Sequence, residues 1–192
     1  MDQYLAELLE DIFYGRARET MEYFQVHKDK ILQSFLVSIA SNSAAVQPLI
    51  DSGKKGLIKY VQLSYLLSDS LVNELKVKID FYDARYYGDI EMTGGHWDYK
   101  DLLLFPYIDE DMEIICCELL KRFTRLKNYE LLDIRLYYHI GIFALMLEIL
   151  KILAEDKAFT EAFFGGIFAS EVTVLYGAYL DQSEVIASIK GK

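Results

Sequence analysis

Along most of the chain apolar residues recur every three or four positions, the spacing that predicts amphipathic helices. Residues 2–26 set Leu5, Leu8, Leu9, Ile12 and Phe13 on one face, continued by Met21 and Phe24. Gly15 is the expected kink. A second helix is expected from Asp29 to about Ala40, through Ile31, Leu32, Phe35, Leu36 and Ile39. Ser41-Asn42-Ser43 reads as a turn that caps a short helix, with Pro48 in its first turn and Gly53 at its end. A longer helix is expected from Lys54 to Val72.

The period then changes. Leu75, Val77, Ile79 and Phe81 alternate with Lys76, Lys78, Asp80 and Tyr82, the pattern of a half-buried strand. A second strand is expected over Tyr86 to Met92, with Tyr82–Arg85 as the turn and Thr93-Gly94-Gly95 closing the pair. An isolated hairpin is marginal in water, so it must pack on the helices or pair across a dimer.

Helical spacing returns at Asp109 with the stripe Met112, Ile115, Cys116, Leu119, Leu120, Phe123 and Leu126. Acids fill its first turn and Lys121, Arg122, Arg125 and Lys127 its end, which complements the helix dipole. Residues 129–154 are apolar nearly all round, the mark of a central helix. Two more helices are expected over 160–180 and 183–189, the first interrupted at Gly165-Gly166. Within it Gly166, Ser170, Thr173 and Gly177 would line one small-residue face, suited to close helix packing and to a homodimer seam. The pattern therefore predicts a mainly α fold: a single domain over residues 1–192, a bundle of six to eight helices with one β-hairpin inserted at about 75–92.

Charge is unevenly spread. The segment 80–113 holds ten acids against Arg85 and Lys100, close to the whole chain's net −10. It also carries Phe81, Tyr82, Tyr86, Tyr87, Trp97, Tyr99, Phe105 and Tyr107. Such an excess repels nucleic acid and anionic lipid and attracts basic surfaces. No nucleic-acid and no membrane partner is expected. The longest uncharged run considered as a span, Leu136 to Leu147, falls short of the about 20 residues a bilayer needs. The only cysteines are the adjacent Cys116 and Cys117, read as small buried hydrophobes. The start, Met1-Asp2-Gln3, lacks a basic leader, and the expected location is the cytoplasm.

Candidate chemistry is sparse. Asp80, Asp83, Asp89, Glu91 and His96 are the candidates for a carboxylate-based metal enzyme, but calcium-loop spacing is missing and a strand sends Asp80 and Asp83 to opposite sides. The histidines His27, His96 and His139 form no zinc or di-iron motif. No nucleophile elbow or phosphate-binding loop is present. No cofactor and no catalytic or metal-ligating residue is therefore assigned, and the reading leans away from an enzyme. The expected function is a non-enzymatic interaction or regulatory protein whose surface is Tyr82, Tyr86, Tyr87, Asp89, Glu91, His96, Trp97, Asp98 and Tyr99, aromatic anchors in an acidic field. Its partner would be a protein with a basic or mixed surface, and the chain a homodimer. The alternative is a small-ligand sensor with an apolar cavity near Tyr137, Tyr138 and His139.

Overall fold

Helices and strands are interspersed along the chain. A computed structural model describes residues 3–72, 74–89, 91, 93–100, 102–103, 108–123 and 125–191. The elements are α1 (Gln3–Ala44), α2 (Gln47–Asp51), β1 (Ile58–Tyr65), α3 (Asp69–Val72), β2 (Lys76–Tyr82), β3 (Thr93–Asp98), α4 (Ile108–Leu120), α5 (Asn128–Ala154), α6 (Lys157–Glu161), β4 (Phe168–Ala178) and β5 (Ser183–Lys190). A 3-10 turn at Tyr86–Gly88 stands between β2 and β3. Strand order is β3-β2-β1-β4-β5. The β1–β4 pair is parallel and the others are antiparallel. This is an α+β fold with a five-stranded mixed sheet, which corrects the expected all-helical bundle with one hairpin.

The error has a physical source. β1 lies at the middle of the sheet and is buried on both faces from Val61 to Ser64, so the alternation that marks a half-buried strand is lost. Much of the 54–72 segment is therefore strand, not helix. The segments read as helices over 160–180 and 183–189 are largely β4 and β5. There the β-branched run Val172-Thr173-Val174 outweighs the spacing of the small residues. The helical seam is corrected too. Ser170, Thr173 and Gly177 lie on β4, and Gly166 precedes it at φ +58°. Gly177 is small because the backbone of the β4–β5 turn, Gln182 O and Ser183 Cα, occupies the place of a side chain.

β2 matches the expected strand, pairing with β1 from Tyr60–Tyr82 to Ser64–Lys78. Its hairpin partner is β3, beyond the expected 86–92. Gly95 of β3 ends nothing: a Cβ there would collide with the Asn42 side chain of α1. Ile90 and Met92 of the expected strand, and the stretch 104–107, lie outside the described residues. α1 bends at His27 (φ −113°, ψ 15°), where the structure departs from the kink expected at Gly15. It also runs unbroken through the turn expected at 41–43.

Register divides the sheet faces. Val61, Leu63, Val77, Ile79, Phe81, Trp97, Val174 and Tyr176 face the helices and form the core with α1, α4 and α5. The Trp97 indole donates to Ser34 Oγ of α1 at 3.1 Å, and the Tyr176 hydroxyl donates to the Phe143 carbonyl of α5 at 3.1 Å. The other face carries Tyr60, Gln62 and Ser64 from β1, Lys78, Asp80 and Tyr82 from β2, and His96 and Asp98 from β3.

The two readings of Gly177 differ in sign. On an exposed helix Gly177→Ala would stabilise by about 1 kcal/mol through propensity. In this strand the methyl meets backbone, and a loss of about 1–3 kcal/mol is expected from urea midpoints.

Candidate functional site

The 3-10 turn of the acidic, aromatic segment folds onto the polar sheet face and is hydrogen-bonded there. Tyr86, at φ +52°, donates its hydroxyl to Gln62 Oε1 at 3.0 Å. Gln62 in turn donates to Ser183 Oγ at 2.9 Å. Tyr86 packs against Tyr60, Tyr82 and Tyr87, with ring centroids 4.8, 5.4 and 4.1 Å away. Across the face the Lys78 ammonium sits 3.9 Å from the centre of the Tyr179 ring. Leu180, beside it, has φ +59°. Among the described residues these are the two non-glycine positions with positive φ, each costing about 1–3 kcal/mol. Both belong to loops over the same face.

Five of the ten acids, Asp80, Asp83, Asp89, Asp109 and Asp111, are ion-paired. Lys55 and Asp89 form a fully buried pair, and Lys55 also donates to the Glu91 carbonyl at 2.7 Å. Arg85 donates to both oxygens of Asp83, at 2.6 to 3.0 Å. Asp83 also accepts the Gly56 and Arg85 amides. The Arg85 hydrogen bonds hold the Asp83 carboxyl well below the usual carboxylate range. Lys78 pairs with Asp80 at 2.7 Å, Arg135 with Asp109, and Arg16 with Asp111 at 2.9 Å, where the Tyr138 hydroxyl also donates. The cations Arg16, Lys55, Lys78 and Arg135 come from outside the 80–113 segment, so about half of its charge excess in sequence is offset in space.

The residues of the expected interaction surface differ in exposure. Trp97, Tyr99 and Tyr82 are core residues and Asp89 is buried. Tyr86 and Glu91 are half-buried, whereas Tyr87 is 48% exposed and His96 and Asp98 are exposed. Burial, with the Asp80 charge second, pushes the Tyr82 phenol above its ordinary value and keeps it protonated. Among the described residues no three His, Cys, Asp or Glu side chains converge as metal ligands. Cys116 is half-buried and Cys117 exposed, which departs from the buried pair expected.

The expected cavity residues are also parted. His139 is fully buried. Its Nδ1 lies 3.0 Å from the Arg135 carbonyl and so carries the proton, which leaves Nε2 as an acceptor with no donor among the described residues. Tyr138 turns to Asp111. Tyr137 is 53% exposed and stands between two grooves. One, of about 410 Å³, lies against α4 and the start of α1 and is lined by Leu5, Leu119, Phe123 and Ile134. The other, of about 310 Å³, lies against α1 and is lined by Leu9, Phe13, Tyr14 and Gly141. His139 lines neither groove.

No family model matches this chain, and no curated protein or solved structure is similar to it.

Tyr137 belongs to a longer feature. Leu132, Leu136, Ile140 and Ala144 follow at four-residue spacing beside it. Leu132 is 49% and Ile140 45% exposed. The opposite side of α5 buries Ile134, Ile142, Met146, Ile149, Leu150 and Leu153. α5 is thus a core helix with an apolar outward face. Sequence reasoning passed over Leu132, Leu136, Ile140 and Ala144 because a helix apolar all round carries no sign of which side faces out. By length and composition alone α5 could cross a membrane, yet nine of its residues are buried inside the fold.

Two outcomes are expected from this geometry. Lys55→Met should cost about 3–5 kcal/mol, because it strips the partner from a buried carboxylate, while Lys54→Met at the exposed neighbouring position stays within about 0.5 kcal/mol; chemical denaturation measures both. The second concerns pH. Burial lowers the His139 pKa below its ordinary 6.5, so the unfolded chain binds the proton first. The stability from a neutral His139 is intact above about pH 6.5 and is lost as pH falls through the lower folded value. His139→Leu should remove that component, seen as a melting-temperature difference from the parent that changes only below that pH.

Proposed function

We propose that this chain is a non-enzymatic interaction protein that docks another protein on the outward face of α5. The supporting observation is the row Leu132, Tyr137, Ile140 and Ala144, apolar and exposed around the half-buried Leu136, on the same helix that supplies the core. Contiguous exposed apolar surface of this kind marks interaction sites on folded proteins. Tyrosine at the centre of such a patch offers a rigid anchor with large contact area. The acidic, aromatic segment first considered for this role has its strongest anchors, Trp97 and Tyr99, in the core. The docking role passes to α5.

The reading requires Ile140 to be surface in the isolated chain. Ile140→Glu should change the unfolding free energy by no more than about 0.5 kcal/mol. Ile142→Glu, two positions along and buried, should cost more than about 4 kcal/mol by burying an unpaired charge. Equal losses in the two variants would make the outward face part of the core and remove the docking surface.

A further inference from the structure

We infer that the occupant of this face is an amphipathic helix with an apolar stripe and cationic flanks, laid along α5 beside α1 and α4. The inference rests on the α5 docking reading and adds the partner's chemistry. Three observations carry it.

The first is incomplete burial in the first half of α1. Leu5, Leu8, Leu9, Ile12 and Phe13 have the spacing of a core face and pack against the core, yet each stays partly exposed. In the second half Phe24, Ile31, Leu32, Phe35 and Ile39 are buried. A helix with the same pattern and less cover lacks a neighbour at that end. The second is shape. Tyr137 is a ridge with a groove on either side, the relief into which side chains of another helix interdigitate. A bilayer surface has no matching ridges. The third is charge. Glu10, Glu130 and Asp133 are among the residues that line these two grooves, and no ion pair joins any of them to a cation among the described residues. Arg125 is the one cation among the residues that line them. Each further copy of the chain would bring another −10 of charge to the interface, so complementarity favours a basic helix over a second copy and over anionic lipid.

The test is fluorescence anisotropy of the full chain at about 0.15 M salt, where charges are screened beyond about 8 Å. The probe is a labelled helical peptide of about 18 residues, about 27 Å long, built of Leu in one stripe with Lys elsewhere. A Leu/Glu peptide with the same stripe is the counterpart. Saturable binding of the Leu/Lys peptide is expected, with the Leu/Glu peptide about tenfold weaker or more. Ile140→Glu and Tyr137→Glu should each weaken the Leu/Lys complex about tenfold, although they add negative charge. Unchanged or tighter binding to Ile140→Glu would mean that net charge alone holds the peptide, and would overturn the inference. Equal affinity for the two peptides would remove the cationic partner while leaving α5 as a docking face. A dimer in sedimentation that Ile140→Glu dissociates would assign the face to a second copy. Phosphatidylcholine vesicles bound by the parent and released by Ile140→Glu would assign it to a membrane. Either result would overturn the helix partner. The Ile140 and Ile142 stability comparison fails or succeeds independently of all four.

Discussion

The constraint on which the fold depends is that β1 must be buried on both faces while carrying polar groups on one of them. Val61 and Leu63 face the helices and need only apolar neighbours. Gln62 and Ser64 face the other way, and a buried polar group without a partner is costly. Gln62 meets the requirement by bridging two loops, accepting from Tyr86 and donating to Ser183. Those loops contain the strained Tyr86 and Leu180. The backbone strain is sustained because the hydrogen bonds and the tyrosine packing over-determine the conformation. Ser64 Oγ has no partner among the described residues, and so remains a cost of placing a polar residue at the sheet centre.

The same loop is held from below by charge. Lys55 precedes β1, and Asp83 and Asp89 flank the 3-10 turn. The Lys55–Asp89 and Arg85–Asp83 pairs therefore fasten the start of β1 to the end of β2 and its connection to β3. Buried pairs of this kind add little net stability compared with apolar substitutes, but losing one partner leaves an uncompensated charge. Their effect is to fix one loop conformation over the polar sheet face. Arg16, Lys55, Lys78 and Arg135 offset four of the segment's charges, while Asp98, Glu110 and Glu113 stay exposed.

α5 joins the two layers of argument. Its inner side packs on the sheet through contacts such as Tyr65–Phe143, stacked at 4.2 Å. Its outer side is open, with Leu132, Tyr137, Ile140 and Ala144 exposed between Asp133 and Glu148. Rigid support from the core and a preformed ridge at Tyr137 mean that a docking helix would meet little reorganisation, which favours association. The first half of α1 and the end of α4 extend this surface sideways, so fold and proposed function share one helix.

The sequence alone determined the elements whose pattern is local. Leu75 to Tyr82 alternates because one face of β2 meets helices and the other meets polar groups, so the strand was legible. The Met112, Ile115 and Leu119 part of the α4 stripe, and the length and apolarity of α5, could be read for the same reason, whereas the basic residues expected at the end of α4 lie beyond Leu120. Only the tertiary structure decided what depends on neighbours distant in sequence. β1 lies at the sheet centre, and burial on both faces erases its period. Gly95 and Gly177 are small because of Asn42 and of the 182–183 backbone, contacts that no local pattern announces. Asp80, Asp89, Asp109 and Asp111 looked like free surface charge until Lys78, Lys55, Arg135 and Arg16 arrived from elsewhere in the chain. Trp97 and Tyr99 looked like anchors until the sheet turned them inward. A uniformly apolar helix cannot reveal its exposed side, so the open face of α5 was settled by packing alone.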